Sequence, residues 1–272
     1  MIDDAYHCAA DAIAGADGII IAAGAGMGVD SGLPDFRGPE GFWQAYPALG
    51  KHRLRFEDMA DPETFRRQSR LAWGFYGHRL NLYRHTTPHE GFNLLRRIGH
   101  LFPHGWFVTT SNVDGHFQMT GFRQDRVCEI HGSIHHLQCL DGCFSDVWSA
   151  EDLKAEIDEG ECLWTARLPA CPHCGGLARP NILMFGDQEW LPERTVNQRA
   201  MFEQWRGGVE RPVVIEIGAG TAIPTIRRFS EAQRCPLIRI NRHDAEVPLG
   251  HISIQSGALE ALLILSRMLG TR

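Results

Sequence analysis

The sequence predicts an α/β protein: a Rossmann-like, doubly wound parallel sheet with a smaller zinc-binding and helical domain formed by two insertions. Three observations predict it. Short apolar runs recur, and each stops at a glycine or a polar cluster. Helical patterns separate several of these runs, as in alternating strand–helix architectures. Two segments, residues about 40–87 and about 135–185, interrupt the alternation and carry their own composition.

The strands come first. Gly18 to Ala23 (GIIIAA) stops at Gly24-Ala25-Gly26, and Trp106 to Thr110 (WFVTT) stops at Ser111-Asn112-Val113-Asp114-Gly115. Val127 to Ile130 stops at His131-Gly132, Val213 to Ile217 at Gly218-Ala219-Gly220, and Leu237 to Ile240 at Asn241. Runs this short, apolar and partly β-branched read as buried parallel strands. Pro88 to Ile98 and Ala258 to Leu269 have helical spacing, as does Arg66 to Tyr83 inside the first interruption. In a doubly wound sheet, ligands sit beyond the carboxyl ends of the strands. The five stops therefore could converge on one crevice. The expected division is 1–39, 88–134 and 186–272 for the dinucleotide-binding domain, 40–87 for a helical insertion and 135–185 for a zinc-binding insertion.

Composition excludes some functions. With 272 residues, 43% of them hydrophobic, the chain can bury a sizeable core. A net charge of -6 argues against nucleic-acid binding by bulk electrostatics. No apolar run approaches a membrane span, and the acidic start MIDDAYHCAADAIAGADG lacks the pattern of a signal peptide. The expected location is the cytoplasm, with no nucleic-acid and no membrane partner. In that compartment eight cysteines suggest metal binding before disulfides.

Gly24, Gly26 and Gly28 follow a predicted strand, where glycine lets the backbone turn sharply and approach a pyrophosphate. The spacing is G-x-G-x-G, not the dinucleotide fingerprint G-x-G-x-x-G. A glycine turn without a ligand also explains it. Pro34 would end or bend any long helix here. The loop then carries Asp35, Phe36 and Arg37 away from the sheet, which disfavours a hydride-transferring enzyme. An arginine beside a phosphate-binding turn can pair with phosphate in a fork.

Cys171-Pro-His-Cys174-Gly-Gly is a zinc-knuckle pattern, two thiolates on a tight turn. Cys139 and Cys143 offer a second pair with one residue more than C-x-x-C, and Cys162 lies between the pairs as a substitute. Four thiolates would close the coordination sphere, so the metal would be structural. Buried free thiols are the competing explanation. His131, His135 and His136 lie close in sequence, but the strand end gives His131 a different role from metal binding. An imidazole there can take a proton near neutral pH. Asn112 to Gly115 also reads as an Asx turn, which does not exclude a binding loop.

GAGMGVDSGLPDFRG resembles the first signature of the sirtuins, the NAD-dependent protein deacylases. SNVDG resembles the second and His131-Gly132 the third, while RPNILMFGD and IGAGT resemble later ones, in order over roughly residues 15 to 265. The resemblance implies NAD as co-substrate, structural Zn2+ on Cys139, Cys143, Cys171 and Cys174, and acylated protein lysines as partners. It implies that Gly24, Ala25, Gly26, Asp35, Phe36, Arg37, Ser111, Asn112, Asp114, Gly218, Ala219, Gly220 and Asn241 bind NAD. His131 would be general base for a ribose hydroxyl, Asn112 would hold the ribose and a water, and Asp114 would orient the nicotinamide amide. Phe36 would shield the cationic ribose from water. The acyl oxygen would attack the ribose carbon that held nicotinamide, giving free lysine, nicotinamide and an acylated ADP-ribose.

On the acyl-lysine side, Ile182 to Phe185 reads as a short core strand. The matching sirtuin segment pairs with substrate peptide by edge addition. The Leu183 carbonyl would accept the lysine amide proton, Phe185 would line the tunnel, and Gly186 belongs to the same substrate segment. Tyr76 and Arg79 stand three apart on a predicted helix and share a face. They resemble the Y-x-x-R of sirtuins that prefer acidic acyl groups, which implies a succinyl or malonyl carboxylate as ligand.

The chain departs from the family at Gly28, Phe92, Ser111, Met184 and Gly218 to Thr221. SNVDGHFQMTGF and IGAGTAIPTIRR lean toward the macrodomain-linked branch, whose members transfer ADP-ribose to protein and typically lack the histidine that His131 supplies. ADP-ribosyl transfer or NAD hydrolysis on this scaffold is the alternative to deacylation. A non-catalytic NAD sensor or zinc-dependent interaction module is a third reading.

Overall fold

The structure is a computed structural model that describes residues 4–34 and 38–271. Asp35, Phe36 and Arg37, expected to bind NAD, lie outside the described residues.

Among the described residues eleven strands run in chain order: β1 Gly18–Ala23, β2 Trp106–Thr110, β3 Val127–Glu129, β4 Gly132–Cys139, β5 Trp148–Ser149, β6 Ile157–Asp158, β7 Leu163–Trp164, β8 Ala178–Ile182, β9 Pro212–Ile217, β10 Leu237–Ile240 and β11 Ile252–Ile254. Six of them form one sheet in the order β11-β10-β9-β1-β2-β3. All its pairings are parallel, so it is the expected doubly wound sheet. The five predicted strands are all present, within a residue at each end, and β11 is a sixth that the sequence reading omitted. β11 is three residues long and only its last residue is buried, so its apolar signal is weak.

One face of the sheet is packed by the helices Asp4–Ala14, Gly91–Gly99 and Ala258–Met268 around Ile19, Ile21, Val108, Val213 and Ile215. The other face packs Ile20, Ala22, Phe107 and Val214 against the helices Glu193–Arg206 and Thr225–Ala232. Burial on both faces is why these strands read as continuous apolar runs rather than alternating ones.

A separate core gathers residues from both interruptions: Phe42, Phe65, Trp73, Phe75 and Tyr76 meet Ile134, Leu137, Trp164, Ile182 and Met184. Its scaffold is a three-stranded sheet in the order β5-β4-β8 and the helix Ser69–His85. The predicted helix Arg66 to Tyr83 is two helices, Pro62–Arg67 and Ser69–His85, with the break at Gln68. Gly74 sits against the Cys162 carbonyl, where a Cβ would lie 1.9 Å away. That approach lets the helix press onto the zinc-side segment.

The chain passes between the two sheets at His131-Gly132. Gly132 has φ +77°, and a Cβ there would lie 2.0 Å from the Asn181 carbonyl oxygen. Only glycine accommodates both that conformation and that approach. His131 is consequently held at the seam between the parallel sheet and the second core.

Candidate functional site: one crevice where the loops meet

The strand ends are stapled to one another beyond the ladder. The Ser111 N–H and the Thr110 hydroxyl both donate to the Ala23 carbonyl, at 3.1 and 2.9 Å. Asn112 Nδ2 donates to the Gly24 carbonyl at 3.0 Å. Gly26 N–H donates to the Gly218 carbonyl at 3.0 Å, and Gly218 N–H to the Ile240 carbonyl at 2.9 Å. Gly24, Gly26 and Gly218 pack backbone on backbone: a Cβ on Gly218 would lie 2.4 Å from Gly26, and its φ is +62°. These glycines thus have a structural reason, the mutual approach of two backbone turns, that goes beyond both the ligand and the simple glycine turn considered from the sequence.

The result is one cavity of about 990 Å³. Residues from all five predicted stops line it: Gly24, Ala25 and Gly26; Ser111, Asn112 and Asp114; His131; Gly218, Ala219 and Gly220; and Asn241. Tyr76, Arg79, Leu183 and Phe185 line it as well. Gly186 does not, and its φ of +64° marks it as a turn residue instead. Asn241 is a fixed turn: its Nδ2 donates to the Ala219 carbonyl at 2.9 Å, and its Oδ1 accepts from His243 and Asp244 N–H groups. The Asx turn read at residues 112–115 is centred on Asp114, whose Oδ1 accepts the His116 N–H at 2.9 Å.

His131 is half-buried. Burial pushes its pKa below the ordinary histidine value, and a backbone hydrogen bond with Ser111 partly offsets this. It is therefore neutral at pH 7 and able to accept a proton. Its backbone carbonyl accepts the Leu183 N–H at 3.0 Å, which couples the imidazole's own residue to the opposite wall.

That wall is not the core strand the sequence suggested. β8 ends at Ile182; Met184 is buried, whereas Leu183 and Phe185 are 38% and 42% exposed. Phe185 N–H donates to the Ala60 carbonyl at 2.8 Å, and Met184 N–H to Asp187 Oδ2 at 3.3 Å. No donor among the described residues reaches the Leu183 carbonyl. β8 is an edge of its sheet, so an extended peptide can extend it.

Tyr76 and Arg79 are both buried on the helix Ser69–His85. The Arg79 guanidinium carbon lies 5.3 to 5.8 Å from the rings of Phe56, Phe75, Tyr76 and Tyr83. This aromatic surround stabilises the cation while excluding water. Phe56, Tyr83 and Arg242 also line the cavity and were not anticipated. Tyr83 was legible, because it follows Arg79 by one helical turn on the same face. Phe56 carried no local signal.

The four cysteines Cys139, Cys143, Cys171 and Cys174 form one group with all Sγ atoms within 4.8 Å of one another. The Cys139–Cys174 and Cys143–Cys171 separations are 3.8 and 3.6 Å. A tetrahedral ion with Zn–S bonds of about 2.3 Å would place its sulfurs roughly 3.8 Å apart. The set therefore fits a closed, structural zinc site. Burial pushes the Cys171 thiol up, but backbone N–H groups of Cys174 and His173 outweigh it and bring the thiol to about 7. The Gly176 N–H also donates to the Cys174 sulfur at 3.3 Å. Cys162 is no ligand: it is buried in the second core, outside the four-sulfur group. None of the four cysteines lines the cavity. Among the described residues no helix is long and apolar enough to cross a membrane.

Comparisons with known proteins agree with this geometry. The model of the Sir2 family matches residues 24–219. The "NAD-dependent protein deacylase 2" of Pyrobaculum aerophilum is 30% identical over 262 residues, 93% of this chain and 91% of that protein. The "NAD-dependent protein deacylase" of Aquifex aeolicus is 32% identical over 169 residues, a match spanning 62% of each chain and so less than two thirds of that relative. A solved "Sir2 homolog–NAD complex" superposes with a TM-score of 0.72 at 23% identity, covering 98% of this chain and 94% of the other. The chain belongs to the Sir2 family.

Proposed function

We propose that this protein is an NAD-dependent protein lysine deacylase, acting in the cytoplasm, that yields free lysine, nicotinamide and O-acyl-ADP-ribose. The observation that carries the reading is the single 990 Å³ cavity. It joins the loop ends of the parallel sheet to the peptide-ready edge at Leu183 and Phe185.

NAD would lie along Gly24, Ala25, Gly26, Gly218, Ala219, Gly220 and Asn241, where main chain rather than side chain forms the wall. Asp35, Phe36 and Arg37 would complete this part. Asn112, already oriented by the Gly24 carbonyl, would hold the ribose, and Asp114 the nicotinamide amide. The acyl oxygen of the modified lysine would attack the ribose carbon as the bond to nicotinamide breaks. His131, neutral because it is partly desolvated, would then take the proton of a ribose hydroxyl as that hydroxyl attacks the acyl carbon; water would add to the same carbon as its bond to the lysine nitrogen breaks, releasing free lysine and leaving the acyl group on the ribose. Its presence favours deacylation over ADP-ribosyl transfer. Zinc on Cys139, Cys143, Cys171 and Cys174 would hold the small domain together and supply no chemistry at the cavity. The small domain would comprise residues 40–87 and 135–185, and 1–39, 88–134 and 186–272 would bind NAD.

Tyr76 and Arg79 in the cavity wall support a preference for succinyl or malonyl over acetyl groups. The test is a panel of acetyl-, succinyl- and long-chain acyl-lysine peptides incubated with NAD and read by mass. The reading requires O-acyl-ADP-ribose and nicotinamide in equal amounts. Free ADP-ribose, or ADP-ribosylated protein with the acyl peptide intact, overturns it.

A further inference from the structure

We propose that Tyr83 is a third member of the acyl-carboxylate subsite, orienting Arg79 and donating its own hydroxyl proton to the substrate. This rests on the deacylase reading above and deepens it.

The Tyr83 oxygen accepts from Arg79 Nε at 3.0 Å and from Arg79 Nη2 at 2.7 Å. Two bonds to one edge of a planar guanidinium fix its rotation in the plane, which one bond would not do. A phenol oxygen has two lone pairs and one proton. With both lone pairs engaged by Arg79, the remaining capacity of Tyr83 is to donate. Among the described residues its proton has no acceptor. The neighbouring Tyr76 hydroxyl is fully buried with no hydrogen-bond partner among the described residues.

Buried polar groups are normally satisfied, so an unmet donor calls for a ligand. Here two phenols and a guanidinium line the same cavity. The two phenols offer protons, and the guanidinium that Tyr83 orients offers its charge. Their shared complement is an acceptor with several lone pairs, and a carboxylate has four such sites. Burial holds both phenols above their ordinary pKa, Arg79 notwithstanding, so both keep their protons at neutral pH. Tyr83 is one turn beyond Arg79 on the same helix, so the subsite is three residues of a single element and stays rigid.

The experiment compares wild type with Tyr83→Phe, Arg79→Met and the double variant. Each is measured for kcat and KM on succinyl- and acetyl-lysine peptides, and for succinyl-peptide binding by fluorescence polarisation. Loss of a charge-assisted contact predicts that Tyr83→Phe lowers the succinyl-to-acetyl ratio of kcat/KM by roughly 10- to 100-fold, mostly through KM. Added to Arg79→Met, it should change the ratio little further, because the two act as one unit. An equal fall on both peptides, an unchanged ratio, or full additivity with Arg79→Met overturns the proposal. Wild type that cleaves acetyl peptide but neither cleaves nor binds succinyl peptide overturns it while leaving deacylation intact. If no acyl peptide is turned over, the deacylase reading fails, and the polarisation comparison of wild type with Tyr83→Phe still decides this one.

Discussion

The side chains of Arg179 and Asp187 are both fully buried and meet in a two-pronged ion pair, Nη1 to Oδ2 at 2.7 Å and Nη2 to Oδ1 at 2.8 Å. They stand at the two ends of the segment that carries Leu183 and Phe185. Asp187 Oδ2 also takes the Met184 N–H. The pair therefore sets the course of residues 183–185 along the cavity wall. Removing one partner leaves a buried charge uncompensated. Arg179→Met should cost about 3–5 kcal/mol of stability, and Arg179→Met with Asp187→Leu should cost less than the single change. Urea unfolding of the three proteins checks this order.

His131→Ala should lower deacylation at least about 100-fold while NAD binding by calorimetry changes little. The pH profile adds a sign. His131 works as a base only when neutral, and burial lowers its pKa. Activity should therefore hold as pH falls through 6.5 and drop only below it. An acid limb of kcat/KM centred above 6.5 would contradict the assignment.

Stability should follow the histidines in the same window. His78, His89, His131 and His136 all have lowered pKa values, chiefly from burial, and His136 falls to about 4. The unfolded chain binds protons at these residues near pH 6.5, before the folded chain does. Stability should therefore fall as pH drops from about 6.5 toward 4. Unfolding midpoints at pH 7 and pH 5, above the range where carboxylates titrate, measure it.

Gly218→Ala places a Cβ 2.4 Å from the Gly26 backbone in a residue with φ +62°. The left-handed conformation and the overlap together should cost at least about 2 kcal/mol. Because the displaced backbone is cavity wall, NAD affinity should fall as well. Gly220→Ala has nothing within 4 Å of its Cβ and is the matched control for stability.

Metal analysis should find one zinc per chain, lost in Cys171→Ser and Cys174→Ser. Chelation should lower the melting temperature and reduce activity only as the fold is lost, because the four sulfurs stand outside the cavity wall. Wild-type activity retained in fully zinc-free, unfolded-state-free protein would contradict a structural role.

Much of this protein was legible along the chain. Five of the six parallel strands, their glycine and polar stops, and the cysteine quartet are local patterns. Burial on both sheet faces forces continuous apolar runs, and a sulfur knuckle forces short spacing. The strand-end position drew attention to His131, and the resemblance to the sirtuin signatures nominated His131, Asn112 and Asp114 together. Tertiary structure decided the rest, because it depends on distances between segments far apart in the chain. That Gly24, Gly26 and Gly218 are glycine to admit one another's backbone, that Arg179 and Asp187 clamp the segment 183–185, and that Leu183 hangs from the His131 carbonyl are facts about approach. The break at Gln68 and the unstranded course of residues 183–185 were likewise set by packing, which overrides local propensity whenever the burial it gains is larger.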